Sequence, residues 1–543
     1  MDGRPHRVAA RVAALIVAVV GMVGGTAGTA LAHASLEFST PSANSVLETG
    51  PPAIVLDFDE TIESDLASIR LFDGAGGSLE VGPAAVGADD SVVSVAVPEL
   101  EDGVYAVIWR VNSSDGHVVD GAFSFQVGTA TGSDGAQLID QVRSGVPGAQ
   151  AVRWWYGVAR FLSLLGALAL IGAGWWLLRP SLDLASRRSA RRMCAVAGGL
   201  FLLGSAGAFG LFGAQAVGGS LSDATSPSVW GDVATTQTGR MLLLRLAVAL
   251  LLAGLILLVR QRGEGWWRGA AAAASIVALF SFSAAGHPNS LDPAALWIAI
   301  DMAHLASVAV WLGGLFALVI AGGAALGTPE GERFVRRFSL AATFAVPVIV
   351  ATGVAQGLKL AGGVDDVTAT DWGRLLLTKV TVVVVVLALG GVSRWLLAHD
   401  GAASVRRTVI VEAVLGVVVI ALAAGMVALP PAPSVVARPF AEQLSSNGLI
   451  AVVSIGPGSI GSNEIHIVIT PPGGALAPVA SVSARVSLPV DDIPASPVTL
   501  VREGPNHYSG TVTFPRGGEW TLELIVQVTE TESVLLKSTV SIP

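Results

Sequence analysis

Residues 280–315 read FSFSAAGHPNSLDPAALWIAIDMAHLASVAVWLGGL. Two apolar runs, 269–286 and 296–320, flank a short polar break at His287-Pro288-Asn289-Ser290. Each run is long enough to cross the hydrocarbon core of a bilayer as an α-helix. The second nevertheless carries Asp301 and His304 close to its start. Burying ionisable groups in a membrane is expensive, so those that occur there mark a functional site by default. Three residues apart, the two side chains share one face of a helix. This stretch therefore sets the class of fold, a helical membrane protein. It also marks Asp301, His304 and the neighbouring His287 as candidate functional residues.

The same pattern extends outward. Apolar stretches at 156–178, 193–213, 241–259, 338–358, 375–397 and 408–429 bring the expected bundle to eight helices over 153–430. Hydrophobic residues make up 52% of the 543 and charged residues 13%, against roughly 25% charged in a soluble domain. Arg179, Arg187, Arg188, Arg191 and Arg192 follow the first helix; Arg260, Arg262 and Arg268 the third; Arg333, Arg336 and Arg337 the fifth; Arg406 and Arg407 the seventh. The alternate loops carry Asp223, Asp232, Asp292, Asp365, Asp366 and Asp371. The positive-inside rule places the arginine-rich loops in the cytoplasm and both termini outside. Arg160, Arg245, Asp301, His304 and Lys379 all lie near the start of odd-numbered helices, which makes a polar layer in the outer half of the bundle. Gln356 and Lys359 end the sixth helix at that side. The layer holds three strong cations and one carboxylate, so a metal cation is repelled there unless Asp301 pairs with Arg245 or Lys379. GRMLLLR at 239–245 and GRLLLTK at 373–379 open the third and seventh helices alike, and Arg191-Arg192 parallels Arg336-Arg337. The bundle reads as a four-plus-four duplication.

The N-terminus combines Arg4, Arg7 and Arg11, an apolar run over 12–23, and Ala30-Leu31-Ala32. That is the pattern of a secretory signal peptide, residues 1–32. Cleavage after Ala32 makes His33 the first mature residue, with both an α-amine and an imidazole to offer. Residues 33–128 then show short alternating runs at 54–58, 66–72, 91–97, 104–111 and 118–127. They predict an all-β domain, a Greek-key or immunoglobulin-like sandwich. Asn112-Ser113-Ser114-Asp115-Gly116-His117 joins the last two runs. Asp115 and His117 stand two apart and project to one side at the mouth of that hairpin. His33, Asp115 and His117 together offer three nitrogens and an oxygen, a set that suits tetragonal Cu(II). Cys194 is the single cysteine and methionines number six. Thiolate sites for zinc, iron–sulfur or Cu(I) are thereby excluded.

HASLEFSTPSANSVLETGPPAIVLDFDETI at 33–62 and SSDGHVVDGAFSFQVG at 113–128 resemble the opening and closing segments of the CopC family of copper-binding proteins. The resemblance implies Cu(II) bound by the N-terminal histidine and the D-x-H pair, hence by His33, Asp115 and His117. A methionine-rich segment is lacking, so only the Cu(II) site of that family is implied. Residues 280–315, RRFSLAATFAVPVIVATGV at 336–354 and WGRLLLTKVTVVVVVLALGGVSRW at 372–395 resemble the CopD family, which is associated with copper movement across the inner membrane. His287 and His304 match its G-H and A-H-L-x(5)-W-L-G-G patterns. Beyond Pro430-Pro431-Ala432-Pro433, runs at 450–455, 465–470, 479–488, 508–514, 520–528 and 534–542 predict a second all-β sandwich. ITPPGG, YSGTVTFP and GEWTLELIV within it resemble YtkA-like domains. His466 and His507 there read as ordinary residues in or beside strands.

The expected order is a signal peptide 1–32, a CopC-like domain 33–128, a linker 129–152, a CopD-like bundle 153–430, a linker 431–446 and a YtkA-like domain 447–543. This is the organisation of a CopC–CopD fusion in the bacterial cytoplasmic membrane. Copper and the lipid bilayer are the expected partners, with other extracytoplasmic copper-binding proteins as further ones. Cu(II) would be captured outside and passed to His287, Asp301 and His304; the outward capture domain favours import. The net charge of −9 and the lack of a long basic run exclude nucleic acid. A phosphate-binding G-x-x-x-x-G-K-[ST] loop is missing, so transport would draw on a gradient, ligand exchange or another protein. Neither a Ser-His-Asp set nor paired carboxylates emerge, and an enzyme is not expected. The rival readings are periplasmic sequestration for resistance, a copper sensor or assembly factor anchored by the bundle, and a haem-binding redox protein using His287 and His304 as axial ligands.

Overall fold

The computed structural model describes residues 36–543 apart from 114–117, 129–134, 145–148, 178–183, 259–265, 362–366, 431–439, 472–478 and several shorter runs. The signal-peptide segment and His33, Asp115 and His117 lie outside the described residues. The helices between residues 148 and 433 form one compact unit, and the segments before and after them form another.

The first β domain consists of β1 (Leu36–Thr40), β2 (Val46–Leu47), β3 (Ala53–Phe58), β4 (Ile62–Phe72), β5 (Ser78–Leu79), β6 (Ala85–Val86), β7 (Val92–Ala96), β8 (Gly103–Ser113) and β9 (Val118–Val127). They form two sheets, ordered β1-β3-β7-β6 and β2-β9-β8-β4-β5. Alternation drives the layering. β3 buries Ile54, Leu56 and Phe58, and β8 buries Tyr105, Val107, Trp109 and Val111 in the same core. Trp109 meets Phe58 edge-on at 5.2 Å. β8 and β9 pair without a bulge from Gly103↔Val127 to Asn112↔Val118. Gly121 faces Trp109 in this ladder, and a Cβ there would come within 2.3 Å of the indole. Only glycine lets the ring lie across the strand. Within the expected linker, α1 (Gly135–Ser144) sets Leu138 and Val142 against Phe72, Val104 and Ala106.

The helical unit contains α2 (Ala149–Leu177), α3 (Leu184–Ala216), α4 (Pro227–Thr235), α5 (Gln237–Leu258), α6 (Trp266–Ser283), α7 (Ala294–Leu326), α8 (Pro329–Leu360), α9 (Asp371–His399) and α10 (Arg406–Met426). Among the described residues seven helices are long and apolar enough to span a bilayer, and α6 is a shorter apolar helix at the fourth of the eight expected positions. α4 is a short helix in the loop between the second and third spans.

α7 is the centre of packing, touching α2, α6, α8 and α10. Small residues allow it. A Cβ on Gly172 would lie 1.8 Å from the Ala309 carbonyl oxygen, so α2 and α7 cross backbone to backbone. Close approach of this kind holds membrane helices together where lipid removes the hydrophobic drive between them. Trp176 Nε1 donates to the Val310 carbonyl at 3.0 Å. By contrast α9 leaves Val380, Val384, Val385, Leu387 and Trp395 exposed, as a lipid-facing helix does.

The internal repeat has a structural counterpart. Thr236 caps the start of α5 by accepting from Gly239 N at 2.9 Å, and Thr370 caps α9 by accepting from Gly373 N at 3.1 Å. A Cβ on Gly239 would strike the Val233 carbonyl oxygen at 1.7 Å, and one on Gly373 the Val367 oxygen at 1.8 Å. The same cap and the same tight turn recur with matching spacing.

The C-terminal domain comprises β10 (Phe440–Ser446), β11 (Leu449–Gly456), β12 (Gly461–Thr470), β13 (Ser481–Leu488), β14 (Ile493–Gly504), β15 (His507–Phe514), β16 (Gly518–Gln527) and β17 (Ser533–Ile542). They make one antiparallel sheet ordered β10-β11-β12-β15-β14-β13-β16-β17. Its edge strands β10 and β17 lie side by side, so the two-layered body is one sheet folded over and nearly closed. Ile465, Ile467, Ile469, Phe514, Trp520 and Leu522 fill the inside. Asn506, at φ 54°, turns the chain into β15, and its side-chain oxygen accepts from Val479 N at 2.9 Å.

Candidate functional site

Asp301 lies on α7 where three other helices converge. Ser283, at the end of α6, donates its hydroxyl to Asp301 Oδ2 at 2.6 Å. Gln356 on α8 donates its amide to Asp301 Oδ1 at 3.1 Å. Lys379 on α9 lies within electrostatic reach of the same carboxylate. The question of which cation offsets Asp301 is thereby answered. Arg245 points elsewhere: its Nη2 donates to the Ser281 carbonyl at 2.7 Å, and its guanidinium sits 3.8 Å from the centre of the Phe282 ring. Arg160 lies over the Tyr156 ring at 5.4 Å.

His304, one turn further along α7, is oriented through its Nδ1. The Thr352 hydroxyl on α8 lies 2.8 Å from that nitrogen. Thr352 spends its own proton along its helix, on the Val348 carbonyl at 2.5 Å. It is therefore the acceptor of an Nδ1–H bond, which leaves Nε2 with the free lone pair. An imidazole fixed in this way is prepared to ligate a metal through Nε2. Gly353 makes room beside it, since a Cβ there would touch the ring at 3.4 Å. Lys379 is also within electrostatic reach of His304.

His287 is buried in a single 3-10 turn, His287–Asn289, between α6 and α7. Among the described residues no three His, Cys, Asp or Glu side chains are grouped closely enough to hold a metal ion. Asp301 and His304 both lie within electrostatic reach of Lys379, and His287 does not complete a three-ligand cluster with them among the described residues.

Sequence reading missed several partners. Ser283 and Thr352 carry no signal beyond being small polar residues in apolar helices. Glu412 did carry one, a lone carboxylate in an apolar run. It is buried in α10 near the Arg406–Arg407 end, and Ser393 on α9 donates to it at 2.5 Å. In the C-terminal domain, His466 and His507 stack with ring centroids 5.7 Å apart, and both are buried. Burial, and then the neighbouring His466, hold the His507 imidazole down at about 4, so it is neutral near pH 7.

The fold and site define a class: a membrane protein in which a β domain precedes an ionisable-cored helical bundle. Residues 36–128 match the CopC domain family. Residues 150–295 match the N-terminal domain of copper resistance protein D-like proteins, and residues 332–426 match copper resistance protein D, CopD. The copper transport protein CutJ of Bacillus subtilis (strain 168) is 27% identical over 463 residues, spanning 82% of this chain and 83% of CutJ. Copper resistance protein C of Escherichia coli is 35% identical over 115 residues, 20% of this chain and 90% of that protein. The crystal structure of CopC from Methylosinus trichosporium OB3b aligns at 33% identity over 18% of this chain and 93% of that one, with a TM-score of 0.17. The chain belongs to the CopC family through its first β domain, and carries CopD-type domains on the same polypeptide.

Proposed function

We propose that the chain captures Cu(II) outside the membrane with His33, Asp115 and His117 and carries copper inward through the bundle by way of Asp301 and His304. The observation that carries the reading is the Asp301–His304–Lys379 network inside a CopD-type bundle joined to a CopC-type domain. In this reading Lys379 acts as a tethered counter-charge. Without copper its ammonium balances Asp301. An arriving copper ion takes the lone pair of His304 Nε2 and the charge of Asp301, and Lys379 is displaced. For a monovalent ion, with Lys379 giving up its proton to water as it is displaced, the exchange keeps the site neutral in both states, which lowers the cost of charge in a membrane. His287 stands at the approach to α7. In this reading a cleaved N-terminus at His33 supplies amine and imidazole together, and Asp115 and His117, two residues apart in the sequence between β8 and β9, supply the remaining donors.

Purified chain in proteoliposomes should take up copper, and His304→Ala should abolish the flux while copper binding to the outer domain persists. Flux equal to that of the wild type in His304→Ala would overturn the route. The outer site has its own measurement: Asp115→Ala or His33→Ala should remove high-affinity Cu(II) binding, and unchanged affinity sinks the assignment. The names of the CopC-type relatives favour a second reading, copper sequestration for resistance. Tight outer binding with no flux in the wild type would support it.

A further inference from the structure

The C-terminal domain holds a buried histidine pair that the transport reading does not use. Ile465, Ile467 and Tyr508 of β12 and β15 point into the core, so Glu464, His466, His507 and Ser509 occupy the other face of the sheet. His466 pairs with Ser509 and His507 with Val468, which makes the two histidines diagonal neighbours across adjacent strands. Their rings lie 5.7 Å apart with planes 9° from parallel.

Glu464 stands two residues before His466 on the same face, and its Oε1 lies 2.9 Å from His466 Nε2. That contact makes Nε2–H the donor and leaves the lone pair on Nδ1. Neither His466 Nδ1 nor either ring nitrogen of His507 has a hydrogen-bond partner among the described residues, although His466 is 6% exposed and His507 0%. Buried polar atoms are normally satisfied, and exceptions call for a partner such as a water or an ion. The carboxylate-to-imidazole bond is the arrangement that orients metal-binding histidines. A half-open cleft of about 420 Å³ on this face, lined by Glu464, Thr499, Val501, Ser509, Gly510 and Thr511, borders the carboxylate that holds His466, with neither histidine in its wall.

The donor set narrows the choice of ion. Structural zinc takes four ligands, and Cu(II) prefers a tetragonal set. Two imidazoles without a third ligand in range supply neither. Cuprous ion, a closed-shell monovalent cation, is satisfied by two nitrogens in line. At about 2 Å per bond it holds them roughly 4 Å apart, so the rings, nearly parallel with centroids 5.7 Å apart, have to rotate for the two lone pairs to meet on one ion. We propose that the C-terminal domain carries a second copper site, in which His466 Nδ1 and one ring nitrogen of His507 bind Cu(I) while Glu464 orients His466. The choice of copper rests on the family; the site shares no residue with the transport path, so each can fail alone.

Detergent-solubilised full-length chain, titrated anaerobically with Cu(I) under ascorbate against a chromophoric chelator, should lose one bound copper in His466→Gln and in His507→Gln. Glu464→Gln should keep that copper and bind it about tenfold more weakly. Unchanged stoichiometry in both histidine variants overturns the proposal. Because a buried substitution can unfold the domain, X-ray absorption on copper-loaded Asp115→Ala/His117→Ala/His287→Ala/His304→Ala chain gives a second measurement. Two short nitrogen bonds with imidazole outer-shell scattering support the site, whereas absent imidazole scattering or no retained copper refutes it. Zinc that displaces the copper at equal concentration refutes the choice of ion.

Discussion

At the scale of single residues, the bundle's chemistry rests on two polar contacts to α7. The first is the Thr352 hydroxyl, which receives the Nδ1 proton of His304. Thr352→Val keeps the shape and removes the acceptor, so the ring loses its fixed tautomer. Supporting partners of metal-binding histidines are worth about 10–100-fold. Copper flux in Thr352→Val should fall by that order, and Thr352→Ser should restore it; a Thr352→Val rate equal to wild type would falsify the assigned tautomer. The second is the electrostatic interaction of Asp301 with Lys379, which lies within reach of the carboxylate. Removing one member of a buried charge pair strands the other, at a cost on the order of 3 kcal/mol. Asp301→Asn alone should therefore lower thermal stability in detergent by that order. Lys379→Met added to it should recover most of the loss, and additive losses in the double variant would show that the two charges do not interact.

At the scale of elements, helix crossings explain both what was legible and what was not. Span positions follow from apolar length, and the GR-LLL repeat announced two equivalent helix starts, which recur as the Thr236 and Thr370 caps. The crossing of α2 with α7 could not be read, because Gly172 and Gly313 look like any other glycines in apolar runs. Likewise α1 was hidden in a stretch whose polar composition reads as linker, since Leu138 and Val142 make sense only against β8. The crossing gives a prediction with an internal control. Gly172→Val must force α2 away from the Ala309 carbonyl and should destabilise the solubilised bundle by about 3 kcal/mol or more. Gly157→Ala, on the same helix with nothing within 4 Å of the new Cβ, should be neutral or raise stability by up to about 1 kcal/mol. Melting in detergent separates them, and equal effects would show that the crossing is not tight.

At the scale of the whole molecule, the order of domains is legible because each has its own pattern: alternation with a period of two in the β domains, long apolar runs of spanning length in the bundle. The His466–His507 pair escaped because β12 and β15 are separated by more than thirty residues and meet only through sheet order. Import through this chain requires one orientation, and charge predicts it. The loop holding α4 and Asp232 should lie outside, and the start of α8, beside Arg333, Arg336 and Arg337, should lie in the cytoplasm. The chain's one cysteine, Cys194, is buried, so Cys194→Ser gives a clean background for labelling. In that background Asp232→Cys and Glu332→Cys each place a thiol at an exposed position. A membrane-impermeant maleimide added to intact spheroplasts should label Asp232→Cys, and should reach Glu332→Cys only after the membrane is opened. The reverse pattern would put both β domains in the cytoplasm, where the outer site could not collect copper for inward transfer. Since arginine-rich loops are rarely moved across the membrane while acidic ones cross freely, four such loops acting together make the reversed topology the costly one.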